Sequence, residues 1–270
     1  KKCGLPGAMG AEAAAAALDS SSRDFRFVNK CNATVWVGSL GSTLINGGGW
    51  PVGAGSTVTV SAPPGWHGRF WARTGCRFDR SGKGRCETGD CGGLAKCSGA
   101  GGQPPATLAE FSLGPPKDFY DVSLVDGYNV QVSVRPVVVG GRGGQITREQ
   151  DELQWSGTGP PRRSSHPDAY VCHPAGCETD LNKFCPASLR VNGARHHHGG
   201  GVVACRSACN AFSKDKYCCT GAFASPATCH ASAFSRIFKR ACPHAYTYAY
   251  DDPTSIFTCD SPKAYSIYLC

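Results

Sequence analysis

Seventeen cysteines carry most of the chemistry this 270-residue chain has to offer, and metal ligation competes with cross-linking for them. Cys172 with Cys177 and Cys205 with Cys209 have short, ligand-like spacings. Neither pair repeats as a zinc ribbon or finger with matching histidines, so no metal is expected. His196-His197-His198 sits among glycines and reads as a solvated loop that meets a metal only opportunistically. Cross-linking is the better reading. Cytosolic glutathione would keep such a set reduced and reactive, so the cysteines imply an oxidising, extracellular or luminal compartment. Their number is odd. Cys3 stands far upstream of the others, which leaves sixteen to pair.

The polar groups read singly as scaffold. Asp126 before Gly127 and Asp251-Asp252 before Pro253 are turn signals. Glu110 reads as an exposed strand residue and Arg69 as the partner of a scaffold carboxylate. Asn32-Ala33-Thr34 is a glycosylation sequon, beside Cys31 at a strand start. The formal charge of +8 comes from scattered residues. No basic helix interleaved with aromatics accompanies it, so attraction to acidic surfaces such as cell walls is expected and nucleic-acid binding is not. The densest apolar stretch, Val137 to Val139, is far too short to span a membrane. Lys1, Lys2 and the run Ala13 to Ala17 read as targeting or processing sequence, so residues 1–22 are expected to be a disordered or processed extension.

The elements that must position these groups are strands. Thr34 to Val37, Thr57 to Val60, Arg69 to Thr74 and Tyr265 to Cys270 partly alternate polar and apolar residues, the signature of a half-buried sheet. Phe119 to Val134 reads as a hairpin turning at Asp126-Gly127, with Tyr128, Val130, Val132 and Val134 on one face and Asn129, Gln131 and Ser133 on a wet one. Residues 76–105 hold four cysteines and many glycines without a period, as a stapled loop module does. Residues 140–168 are rich in Gly, Arg, Ser and Pro and read as an exposed excursion. Short helices are expected around Arg206 to Phe212 and Ala231 to Arg240, with cross-links to hold them. Each closed loop of about 15 residues removes roughly 3 kcal/mol of unfolded-state freedom in the chain-entropy account. The class is mainly β, a sandwich or barrel with disulfide-rich insertions.

One stretch is far more specific. Gly82-Lys83-Gly84-Arg85-Cys86-Glu87-Thr88-Gly89-Asp90-Cys91-Gly92-Gly93 followed by Cys97 resembles the signature of the thaumatin-like proteins, the pathogenesis-related family 5 of plants. Asn29-Lys30-Cys31, Trp71-Ala72-Arg73-Thr74-Gly75-Cys76, Thr107-Leu108-Ala109-Glu110-Phe111 and Phe119 to Asn129 follow in family order, as does Tyr246 to Cys259. The resemblance runs from Phe25 to Cys270. It implies eight disulfides: Cys31 to Cys270, Cys76 to Cys86, Cys91 to Cys97, Cys172 to Cys259, Cys177 to Cys242, Cys185 to Cys205, Cys209 to Cys218, and Cys219 to Cys229. It also implies a flattened β-sandwich from residues 23–75, 106–171 and 243–270, a small stapled lobe at 76–105 and a larger cysteine-rich lobe at 172–242. The 140–168 excursion and the Arg195 to Gly201 segment are longer than in typical members.

The same resemblance implies an acidic cleft of Arg69, Glu110, Asp121, Asp126 and Asp251, with Asp252 as alternative to the last. Carboxylates gathered in a groove repel, so at least one pKa is expected to rise unless a cation compensates. Such a groove suits a sugar chain, with Phe111, Phe119 and Tyr120 as stacking candidates. The expected function is plant defence against fungi by binding wall β-1,3-glucan or another wall polysaccharide, as a monomer without cofactor, disturbing the wall or membrane. One rival is a weak endo-β-1,3-glucanase using Glu110 and Asp126, whose separation of about 5 Å or about 6.5–9.5 Å would decide retention or inversion. The other is an inhibitor of microbial hydrolases, such as xylanase, or a receptor ligand, acting through surface loops.

Overall fold

The computed structural model describes residues 21–138, 172–193, 201–260 and 262–270. Cys3, residues 1–20 of the N-terminal extension, the 140–168 excursion and His196 to His198 lie outside the described residues, as do residues 195–200 of the Arg195 to Gly201 segment.

Alternation builds the first sheet. In β1 (Arg23–Asn29) the side chains of Arg23, Phe25, Phe27 and Asn29 turn inward and those between them outward. It pairs with β4 (Thr57–Ala62) on one side and, in parallel, with β15 (Ala264–Leu269) on the other. β10 (Val132–Val137) and β11 (Ala175–Cys177) complete five strands in the order β11-β10-β15-β1-β4. The second sheet is antiparallel, with β14 (Phe257–Cys259), β9 (Asp118–Ser123), β8 (Leu108–Ser112), β5 (His67–Arg73), β2 (Val35–Gly41) and β3 (Gly49–Val52) in that order. Phe25 lies at the meeting of the two, with ring centroids 4.9 Å from Phe70, 4.8 Å from Phe111 and 5.6 Å from Tyr265. This is mainly β structure, a sandwich with an aromatic core.

One charged pair is sealed in that core. Arg23 Nε donates to Asp118 Oδ2 at 3.0 Å, the Tyr265 hydroxyl donates to the same oxygen at 3.0 Å, and the Gly114 amide donates to Oδ1 at 3.0 Å. Asp118 is fully buried and the Arg23 side chain 4% exposed. The pair joins β1 to β9, hence one sheet to the other.

The expected hairpin from Phe119 to Val134 does not form. β9 belongs to the six-stranded sheet and β10 to the five-stranded one, so residues 124–131 cross between them. The reason is local. A two-residue hairpin turn of the favoured type needs positive φ at both central residues. Only Gly127 has it here, at φ 88°, and its amide closes back on the Leu124 carbonyl at 2.9 Å. Nor is Ser133 wet, being only 6% exposed. Asn129 is buried too, donating to the Ala72 carbonyl and the Thr88 hydroxyl, both at 2.8 Å.

Eight disulfides close: Cys31–Cys270, Cys76–Cys86, Cys91–Cys97, Cys172–Cys259, Cys177–Cys242, Cys185–Cys205, Cys209–Cys218 and Cys219–Cys229. These are the pairs the family resemblance implies. Two short ribbons, β6 (Arg77–Phe78) with β7 (Gly84–Arg85) and β12 (Arg190–Asn192) with β13 (Val202–Cys205), stand outside the main sheets. Helices α1 (Ala208–Phe212) and α3 (Ala233–Ala241) fall near their expected places. Each starts on a serine cap, Ser207 accepting from the Asn210 amide and Ser232 from the Ser235 amide. A further helix, α2 (Asp215–Cys218), lies between them.

Candidate functional site

The outer face of the six-stranded sheet is organised in rows that run across the strands, because directly opposed residues share a face. In one row Gly38, Trp71, Leu108 and Ser123 are successive partners. It is roofed by the 76–105 stretch, where Trp71 packs with Cys91, Cys97 and Ala106 and donates from Nε1 to the Gly89 carbonyl at 2.9 Å. Gly38 is required there, since a Cβ on it would lie 2.3 Å from the Trp71 ring.

Two residues further along each strand the roof ends. The next row is Leu40, Arg69, Glu110 and Asp121, about 14 Å of sheet at the usual interstrand spacing. The third holds His67, Ser112, Phe119 and Thr258. Apart from Thr258, these residues floor an open cleft of about 660 Å³, with Ile256 at its margin. Phe119 and Ile256 remain 42% and 39% exposed. Phe111 and Tyr120 do not serve as stacking surfaces: they point to the opposite face and are 4% and 0% exposed.

Charge in the second row is asymmetric. Arg69 Nη1 stands 4.0 Å from Glu110 Oε1, a loose pair with both side chains more than a third exposed, and such pairs stabilise little. Burial among the surrounding strands raises the Glu110 carboxyl above its ordinary range, with Arg69 opposing and Asp126 adding to the rise. Asp121 is perturbed further, pushed up to about 8 by burial and then by the neighbouring Glu110. Its Oδ1 is buried without a hydrogen-bond partner. A protonated carboxyl, able to donate, suits that position better than an anion.

Asp126 sits in the turn after β9, outside the cleft lining but near enough to act on Glu110. Asp251 is engaged elsewhere. Its Oδ2 accepts from the Thr247 amide at 3.0 Å and hydroxyl at 2.8 Å and meets Lys239 Nζ at 3.1 Å, with 13% of the side chain exposed. Lys239 also donates to the Ala245 carbonyl at 3.0 Å and to Ser255 Oγ at 2.8 Å. Asp252 accepts from the Tyr246 hydroxyl at 2.7 Å. These contacts shape the 243–256 segment, whose Tyr246 backbone pairs with Val122 and Leu124 beside Asp121. The structure brings Arg69, Glu110 and Asp121 into one row with Asp126 near it, while Asp251, outside the cleft lining and paired with Lys239, acts with Asp121 and Asp252 on the Tyr246 hydroxyl.

Sequence reasoning overlooked His67, Ser112, Leu40 and Ile256. The first two were available from strand period alone, as the same-face neighbours two residues from Arg69 and Glu110. Asn32 and Thr34 are both exposed in the bend before β2. Among the described residues no group of three or more His, Cys, Asp and Glu is placed to hold a metal, and no helix is long and apolar enough to cross a membrane.

Comparison with known proteins gives consistent matches. The chain is 49% identical over 247 residues to a thaumatin-like protein of Arabidopsis thaliana, covering 90% of this chain and 88% of that one. It is 48% identical over 249 residues to pathogenesis-related thaumatin-like protein 3.5 of Cryptomeria japonica, covering 91% and 89%. It is also 48% identical over 251 residues to pathogenesis-related protein 5 of Arabidopsis thaliana, covering 92% and 90%. Among solved structures, a laminaripentaose-producing β-1,3-glucanase in complex with laminaritetraose shares the fold at 9% identity and a TM-score of 0.50, over 92% of this chain and 98% of that one. The Thaumatin family profile matches residues 29–270. With that profile spanning nearly the whole chain and relatives near one-half identity, the sandwich and its eight cross-links are those of a member of the thaumatin family.

Proposed function

We propose that this is a secreted plant defence protein that binds fungal wall β-1,3-glucan in the cleft over β5, β8 and β9. The observation that carries the reading is the row Arg69–Glu110–Asp121 lying one strand-period from the exposed Phe119 ring. Charged and protonated groups in series match sugar hydroxyls, and an exposed ring beside them matches the apolar face of a pyranose. Thaumatin-family membership and the cysteine usage support an extracellular or vacuolar site of action. The division into a sandwich with lobes at 76–105 and 172–242 belongs to the same proposal, with the cleft open at the sandwich surface.

A second reading is weak hydrolysis. Glu110, whose carboxyl burial raises above its ordinary range, could serve as general acid, with Asp126 as the partner carboxylate. One experiment separates the two. Protein is sedimented with insoluble β-1,3-glucan while released reducing sugar is measured, for the wild type and for the Glu110→Gln, Asp126→Asn double variant. Binding without sugar release, weakened in the variant, is the expected result. Sugar release lost in the variant would promote the enzyme, and a wild type that stays in the supernatant would end the glucan reading.

A further inference from the structure

The cations read as scattered along the sequence, but the fold concentrates one group of them. Between residues 201 and 242 stand Arg206, Lys214, Lys216, Arg236, Lys239 and Arg240 against a single carboxylate, Asp215. Lys239 turns in to Asp251. The other five are exposed, and among the described residues none of them is in an ion pair. Some cations elsewhere do have such partners: Arg69 has Glu110, Arg135 has Glu178 and Lys183 has Asp180. Even Asp215 is occupied, accepting from the Thr220 hydroxyl at 2.6 Å.

These side chains stand on a braced platform. Cys209–Cys218 and Cys219–Cys229 staple the segment. Phe212, Tyr217 and Phe234 pack their rings at 5.3–6.1 Å, which binds α1, α2 and α3 together. On α3 the buried Ser235 and Phe238 face inward, while Arg236 and Arg240, four residues apart, share the outer face. Arg236 Nη1 is steadied by the Ala231 carbonyl at 2.7 Å. Unneutralised like charges held close on a stiff scaffold create a positive potential that attracts and concentrates polyanions.

We propose that this face binds a polyuronate, a linear polysaccharide bearing carboxylates on successive sugars, independently of the carboxylate-lined cleft. Arginine and lysine spread over two helices and a turn match repeated carboxylates, and the guanidinium fork takes each in a bidentate way. The partner is a hydrated polymer and not a bilayer, because the only large apolar side chain exposed among the described residues of this stretch is Phe223, at 36%. The chain would then hold a neutral glucan on one face and an acidic polymer on another.

The test is retention on immobilised polygalacturonate across a salt series, for wild type, for the charge reversal Lys214→Glu, Lys216→Glu, Arg236→Glu, Arg240→Glu, and for the charge-keeping Lys214→Arg, Lys216→Arg, Arg236→Lys, Arg240→Lys. The wild type and the charge-keeping variant should be retained at low salt and released by about 0.5 M salt, where screening is nearly complete. The reversal should bind about tenfold more weakly or worse, with its thermal midpoint and its sedimentation with β-1,3-glucan unchanged. Glu110→Gln should leave polygalacturonate retention intact. A wild type not retained, a reversal retained like wild type, loss in the charge-keeping variant, or capture by phosphatidylserine vesicles without capture by polygalacturonate would each overturn the proposal.

Discussion

Asp121→Asn is the sharpest probe of the cleft. Burial beside Glu110 raises the Asp121 carboxyl from 3.8 to about 8, while in the unfolded chain it titrates near its ordinary value. Between those two values the folded state holds a proton the unfolded state has lost. Stability is therefore full below about pH 4, falls as the pH rises and levels off above about pH 8. At about 1.4 kcal/mol per unit the whole shift would be worth roughly 6 kcal/mol. Water at the cleft mouth and the part-exposed Glu110 screen the interaction, which brings the expected effect to about 1–3 kcal/mol. Asparagine keeps the shape and never ionises, so the variant should lose this component of the pH dependence.

The assay is guanidinium unfolding with disulfides intact, followed by near-ultraviolet circular dichroism at pH 5 and pH 8. Relative to wild type, Asp121→Asn should gain about 1–3 kcal/mol on going from the lower pH to the higher. Glu110→Gln should flatten the wild-type slope in the same sense, because it removes the neighbouring charge. Parallel pH profiles for wild type and Asp121→Asn would show that Asp121 is ionised throughout, and the account of the row as cation, anion and proton donor would fail.

Two further outcomes follow from contacts outside the row. Asp118→Ala removes the carboxylate paired with the buried Arg23, whose Nη1 keeps its bonds to Ser21, and takes away the acceptor of the Tyr265 hydroxyl and Gly114 amide; it should cost about 3–5 kcal/mol in thermal or denaturant unfolding, and a loss near zero would mean water reaches the pair. Lys239→Met removes the cation from Asp251, Ala245 and Ser255 and should lower the local opening energy of the 243–256 segment by about 1–3 kcal/mol. Faster hydrogen exchange at Leu124 and Tyr246, whose amides pair across that segment and β9, is the measurement, and unchanged exchange there would uncouple the Lys239–Asp251 pair from the cleft.

What the sequence could reveal about this site divides along a physical line. Strand period is local, so Arg69, Glu110 and Asp121 share a face with the side chains two residues away, and the row could have been extended to His67, Ser112 and Phe119 without coordinates. The same rule shows that Phe111 and Tyr120, one residue from Glu110 and Asp121, must point the other way. Grouping them with Phe119 as stacking candidates overlooked it. Turn handedness is less local. Asp126-Gly127 is compatible with a hairpin or with a crossing between sheets, and the choice is made outside the turn, by β15 far along the chain pairing with β10 while the preceding β8 pairs with β9. Asp251 shows the limit most clearly. Nothing in Asp251-Asp252-Pro253 reveals that Lys239, on a helix twelve residues earlier, pairs with one of those carboxylates, so a residue placed in the cleft by family order already has a cation of its own. A side chain's charge can be read from its type, but whether that charge faces a ligand depends on which partner the fold brings to it first.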